Sequence, residues 1–359
     1  MPQPSRDVTL TPARPEDAPE LVAFHNRMYG THCTPDFWLW KYRDHMPGKS
    51  VYVVALSGGN VVGTQGMIPI CLRTATGIEL TGKSENSLLA PALRGTGVWG
   101  RVYEHAVELC RQRGMKAVWG FTRARKVLTR SSFAVHDVLV QSLGVLHVFG
   151  GLGVVWRSSR TLCSKLAISL ALPGAAAYGA ICRLVRRTSP RGLAFEPELR
   201  DETDIARMYD RVRKIHPELI HIEYDSEYLG WRLDRHPLFR FRTYFVYRRD
   251  ELAAYAIVND RNRVNPAIVD FGFDDRAAGQ ALLERVTRDL SNSGAGIVTF
   301  FANRTNPLGR ELLNIAAERG FYSRAAANAF VVRDLSNDKE LERPERWHFS
   351  ALWFEGYTI

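Results

Sequence analysis

The sequence is poor in cysteine and lacks the patterns cysteine usually serves. Cys33, Cys71, Cys110, Cys163 and Cys182 are odd in number, widely spaced and never form a C-x-x-C pair. That pattern argues against a disulfide framework and a zinc site, and for a reducing compartment. The opening MPQPSRDVTL lacks the apolar core of a secretion signal, so a cytoplasmic location is expected. The uncharged run Leu166–Cys182, 17 residues broken by Pro173-Gly174, is marginal for a bilayer span, which wants about 20. No Lys-Ser or Lys-Thr follows a glycine loop, which excludes a nucleotide-triphosphate loop. No metal and no nucleic-acid partner are expected.

Acid is scarce in one region. The chain of 359 residues carries a net charge of +10, with 45% hydrophobic and 24% charged residues. That composition is ordinary for a globular protein long enough for two cores. Between Leu109 and Phe195, however, 14 Lys or Arg residues face the single acid Asp137, so this stretch alone carries +13. An anionic partner belongs there.

A weak internal repeat organises the rest. FWLWKYRDHMP (Phe37–Pro47) resembles YLGWRLDRHP (Tyr228–Pro237), matching Trp40 with Trp231 and Lys41 with Arg232. Each is followed by two alternating strands joined by a polar turn. VYEHAVELCRQRGMKAVWGFT then matches ALLERVTRDLSNSGAGIVTFF, pairing Gly114 with Gly294. Acid-rich amphipathic segments open both halves, near Glu16–Met28 and Glu202–Ile215. This order predicts an α/β protein with two tandem mixed sheets flanked by helices. The expected domains are 1–143 and 193–359, joined by a helical connector at 144–192. In the connector, Leu166–Cys182 is uncharged and interrupted by Pro173-Gly174, which predicts two short helices. Arg157, Arg160 and Lys165 precede it; Arg183, Arg186, Arg187 and Arg191 follow. Either the pair packs between the halves, or it lies on an anionic membrane surface.

Chemistry concentrates where the strand Glu85–Leu89 runs through a proline into Arg94-Gly95-Thr96-Gly97 and a long amphipathic helix. Such a junction gathers backbone N–H groups at the positive end of a helix dipole, a site for diphosphate. A dinucleotide-binding loop is not expected. The junction resembles the acyl-CoA loop of the GNAT superfamily, R/Q-x-x-G-x-G/A. Arg94, Gly97 and Val98 fit, while Trp99 stands where Gly or Ala is usual, followed by Gly100. The resemblance extends to polysaccharide-associated bacterial acyltransferases of tandem form. It implies that Leu88, Leu89, Arg94, Gly95, Thr96, Gly97, Val98, Trp99 and Gly100 hold acetyl-CoA or another acyl-CoA as co-substrate. It implies that Glu85 acts as general base for an amine acceptor. His32, Asp36 and Trp40 fall where relatives bind acceptors, here a small amine or amino sugar. The usual tyrosine acid is replaced by Leu128 in VLTRSSF and by Ala316 in IAAERGF. Arg123, Arg125, Lys126 and Arg130 would lie near the cofactor.

The offset between the halves falls from 191 at Trp40/Trp231 to 180 at Gly114/Gly294. The second copy is therefore shorter around the loop, and Asp274-Asp275-Arg276-Ala277 stands opposite Arg94–Gly97. Carboxylates there would repel a diphosphate, so one CoA site per chain is expected. His216, His221 and Glu223 could add to the acceptor site from the second half. Two alternatives stay open: a non-catalytic duplicated binding protein and a Fem-like aminoacyl ligase.

Overall fold

A computed structural model describes residues 7–46, 48–148, 150–153, 162–185, 192–336 and 339–350. The chain divides into two compact units, and neither is continuous in sequence. The first comprises Met1–Asp137, Arg235–Leu238 and Asn328–Pro344; the second comprises Val138–Asp234, Phe239–Ala327 and Glu345–Ile359. Boundaries at 143 and 193, drawn from composition, follow the chain; the compact units follow strand pairing instead.

In the first unit the strands are β1 (Val8–Pro12), β2 (Val51–Ser57), β3 (Asn60–Thr74), β4 (Gly77–Leu89), β5 (Ala117–Thr122) and β6 (Ala134–His136), with β14 (Ala329–Asp334) arriving from near the C-terminus. The order is β1-β2-β3-β4-β5-β14-β6. Helices α1 (Ala18–Tyr29), α2 (Pro35–Tyr42), α3 (Val98–Gln112) and α4 (Arg125–Arg130) flank it. Helix α3 forms because Val98, Val102, Ala106 and Cys110 recur on one face and are buried against Val51, Val53, Met67 and Val118.

The second unit repeats the plan. Its sheet holds β7 (Leu139–Val145), β8 (Leu193–Glu196), β9 (Arg242–Arg248), β10 (Glu251–Asn259), β11 (Ala267–Phe273), β12 (Ile297–Asn303) and β13 (Tyr322–Ala325). The order is β13-β7-β12-β11-β10-β9-β8. Its helices are α5 (Leu162–Val185), α6 (Asp204–Ile215), α7 (Arg276–Asn292) and α8 (Pro307–Glu318). β7 comes from the first half of the sequence, whereas β14, from the second half, lies in the first sheet. Each half thus donates a strand to the other's sheet.

The repeat is legible in the ladder itself. In β2–β3 the register slips by one residue between Ala55↔Gly63 and Leu56↔Val61. In β9–β10 it slips between Val246↔Ala254 and Tyr247↔Leu252, the same positions displaced by 191. β-Bulges fix strand twist and are retained as features of a fold.

The connector departs from the expected two helices. Leu162–Val185 is one α-helix of 24 residues with Pro173 inside it. Proline removes its own N–H from the ladder and crowds the carbonyl four residues back, yet the Leu- and Ala-rich sequence on both sides sustains the helix through it.

Candidate functional site

In the first unit, β4 and β5 begin as parallel neighbours and then part. Among the described residues their pairing is Gly82↔Val118 and Lys83↔Trp119. At the fork Gly120 lies so close to Ser84 that an added Cβ would meet the Ser84 carbonyl at 3.2 Å. Beyond it β4 carries a bulge: Gly66 pairs with Glu85 but Thr64 pairs with Leu88. The surplus residue brings Asn86 to a φ of 50°, and Thr64 Oγ1 donates to the Asn86 carbonyl at 2.9 Å. The result is a wedge between two strands, with Glu85, Asn86, Ser87, Phe121 and Thr122 half-buried along its sides.

The loop follows directly. Buried Leu93 anchors a single 3-10 turn, and Arg94, Gly95, Thr96 and Gly97 are exposed. Thr96 Oγ1 donates back to the Leu93 carbonyl at 2.6 Å. Gly95 and Gly97 have φ of 81° and 82°, the left-handed region where a Cβ is penalised. Gly97 is the N-cap of α3, and among the described residues no side chain caps it. The first N–H groups of a 15-residue helix therefore face outward at the mouth of the wedge. Val98 is core, and Gly100 is half-buried. Trp99 folds over the strand: its indole N–H donates to Ser87 Oγ at 2.8 Å and its ring meets Tyr103 at 4.7 Å. Leu88 and Leu89 end β4, buried and paired with β3.

Gly95-x-Gly97-x-x-Gly100 also satisfies the letters of a dinucleotide fingerprint. Its context differs: that fingerprint begins at the end of a strand inside a parallel sheet. Here five residues separate Leu89 from Gly95, and β4 runs antiparallel to β3.

Glu85 projects to the opposite face from α3. Ser84 accepts from Tyr103 on α3 at 2.8 Å, so Lys83 and Glu85, one residue either side, point away from α3. Lys83 is buried and ion-paired with half-buried Glu85. Tyr29 at the end of α1 is near enough that, after burial, the Glu85 charge raises its pKa further. Gly66, opposite Glu85, has no Cβ and so admits the Tyr42 ring. His25 is buried, accepts or donates at Thr31 Oγ1 at 3.2 Å, and is pushed down to about 4 by burial and by Lys41. It stays neutral near pH 7. Lys83, Tyr29, Tyr42 and His25 were not singled out from sequence. The i, i+2 spacing of Lys83 and Glu85 on a strand was the available signal.

The other sequence candidates are dispersed. His32 and Asp36 are exposed at the start of α2. Trp40 is buried, stacked on Phe37 at 5.5 Å and against His236 at 4.4 Å. Leu128 is core. Arg125 pairs with Asp137 at 2.8 Å, Arg123 donates to Asn328 at 3.3 Å, and Lys126 and Arg130 are exposed. His221 is buried in the second unit, stacked on Tyr209 at 4.3 Å; His216 and Glu223 are half-buried.

The second unit builds the same junction with a carboxylate on the helix N-terminus. β11 reaches α7 through Asp274 and Asp275 alone. Asp275 caps the helix, accepting from the Ala278 N–H at 2.8 Å, and Arg248 forks onto it at 3.0 Å twice. Arg211 holds Asp274 at 2.7 Å. β11 and β12 pair at Ala267↔Thr299, and the segment Glu345–Ser350 lies against both strands. Asn303 on β12 donates to the Trp347 carbonyl at 2.8 Å, while His348 and Ser350 lie beside Phe271 and Asp270 on β11. Trp347, His348, Phe349 and Ser350 are all buried.

Strand register also shows what replaces Glu85. Glu85 pairs with Gly66, six residues after Asn60 at the start of β3; Asp270 pairs with Ile257, six after Glu251 at the start of β10. Both units therefore place a carboxylate at one sheet position. Asp270 is buried, accepting from Tyr224 at 2.8 Å and Tyr255 at 3.3 Å, and burial raises it to about 6 despite those bonds.

No family model matches the sequence, and no curated protein does. Solved structures match along nearly its whole length. A probable N-acyltransferase from Enterococcus faecalis, of unknown function, is 8% identical with a TM-score of 0.64, covering 91% of this chain and 73% of its own. Yeast (Saccharomyces cerevisiae) N-myristoyltransferase, solved with bound myristoyl-CoA, is 9% identical with a TM-score of 0.56, covering 91% and 82%. A tandem GNAT protein from the clavulanic acid biosynthesis pathway is 14% identical with a TM-score of 0.56, covering 92% and 99%. At such identities the likeness is one of fold, and it spans both units: two mixed sheets, each with a forked strand pair and a helix leaving its central strand, give this chain the tandem GNAT fold.

Proposed function

We propose that the chain is an acyl-CoA-dependent N-acyltransferase with a single active site, in the first unit. The observation that carries this reading is the uncapped, glycine-bounded N-terminus of α3 at the mouth of the β4–β5 wedge, with Glu85 on the same strand. The helix N–H groups and Arg94 suit a diphosphate. The splayed strand edges suit the extended, amide-bearing arm behind it, since each edge offers backbone donors and acceptors. Acetyl-CoA is the proposed donor.

Direct attack on the thioester needs an uncharged amine, and the C–N bond forms as the C–S bond breaks. Holding both reactants in one wedge supplies much of the acceleration. Glu85 takes the proton the amine must lose, directly or through one water, and Lys83, ion-paired with it, holds that carboxylate in place. With Leu128 where relatives have tyrosine, the thiolate leaves without a dedicated acid, tolerable for a thiol of pKa near about 8.5. The acceptor enters from the α1–α2 side, past Tyr29, Tyr42 and His32. An amino sugar is the proposed acceptor class.

Calorimetric titration with acetyl-CoA tests the reading: one site per chain is expected, and acetylated product with an amine panel. Two equivalent sites, or none, would overturn it. Leu128 also favours a second reading, binding without turnover, which the same titration separates by giving heat but no product.

A further inference from the structure

Helix α5 is fastened to the second unit by a narrow stripe. Leu172 is buried against Ile297. Gly179 meets Gly320 so closely that a Cβ on Gly320 would stand 2.5 Å from the Gly179 Cα. The two anchors are seven residues apart and so share a face. On an ideal helix Leu170 and Ile181 lie within about 20° of each other and roughly opposite that stripe. The structure agrees: Leu170 is 83% exposed, Ile181 59% and Tyr178 58%, with the alanines between them largely exposed too.

An ordinary surface helix turns its charged side outward. This one has no charged side chain from Leu166 to Cys182, so its outward face is apolar. Contiguous exposed apolar surface marks an interaction site. Charge identifies the partner. Lys165 and Arg183 bound the uncharged run, Arg157, Arg160, Arg186, Arg187 and Arg191 continue on either side, and no Asp or Glu occurs between Asp137 and Glu196. A second copy of this chain docking on the same face would oppose cations with cations. An anionic bilayer satisfies both features, apolar burial for the face and headgroup charge for the flanks. Among the described residues no helix is long and apolar enough to cross a membrane, so α5 would lie in the plane of the surface.

We propose that α5 docks this protein on an anionic lipid surface. The test is cosedimentation of the full chain with vesicles of phosphatidylcholine alone and of phosphatidylcholine mixed equally with phosphatidylglycerol. The expected result is at least about tenfold preference for the anionic vesicles in about 0.05 M salt, lost in about 0.5 M salt as the screening length falls below about 5 Å. Leu170→Glu with Ile181→Glu should abolish binding, and Leu170→Ser with Ile181→Ser should weaken it without charge repulsion. Replacing the flanking cations Arg183, Arg186 and Arg187 together with Gln should weaken it at least about fivefold, the worth of one cation near such a surface. Equal binding to neutral vesicles, no binding at all, or full binding by both double variants overturns the proposal. So does concentration-dependent self-association that the double variants dissolve, which would assign the face to a second copy.

Discussion

Gly97 offers the sharpest test of the proposed site, because its two possible costs can be separated. Its φ of 82° costs any L-residue about 1–2 kcal/mol, yet an ideal Cβ there meets nothing within 4 Å. Gly97→Ala should therefore lower the melting temperature by a few degrees and, with no charge added, reduce acetyl-CoA affinity by no more than about tenfold. Gly97→Glu pays the same backbone strain and also sets a carboxylate at the N-terminus of α3. At about 4 Å and an effective dielectric of about 20, each phosphate charge it faces costs about 4 kcal/mol. That corresponds to roughly a thousandfold loss of affinity. Calorimetry on both variants, with thermal melts alongside, resolves strain from repulsion. If Gly97→Glu binds acetyl-CoA within tenfold of the parent while melting like Gly97→Ala, the helix terminus is not the diphosphate site.

Glu85→Gln should lower turnover with a verified amine about 10²–10⁴-fold at neutral pH with CoA affinity little changed; an undiminished kcat would leave Glu85 a structural partner of Lys83. Asp270 supplies a pH signature in the second unit. Its folded-state pKa of about 6 lies above that of the unfolded chain, near about 3.9, so the native state holds the proton more tightly. That contribution favours folding below about pH 4 and is lost as pH rises through about 6, on the order of 3 kcal/mol in all. Asp270→Asn keeps an acceptor for Tyr224 but cannot titrate, so the difference in denaturant midpoint between variant and parent should shift in the variant's favour across that window; a constant difference refutes the buried, protonated carboxyl.

What the sequence determined by itself was local. Alternation announced the hairpins β2–β3 and β9–β10, the 3.6-residue period announced α3 and α7, and Gly114 and Gly294 closed both helices at φ of 78° and 87°. The loop Arg94–Gly97 was legible for the same reason: its glycines are required by neighbouring backbone geometry. Pro173 misled, since the lost hydrogen bond and the crowding it brings are local, while the Leu- and Ala-rich segments on both sides carry the 24-residue helix onward. Strand partners were beyond the sequence, because alternation says which face a residue takes but not which strand lies beside it. Only tertiary structure could place β7 beside β12 and β14 beside β5, seat Glu345–Ser350 against β11 and β12, or match Asp270 to Glu85 through bulged ladders that no constant offset reproduces.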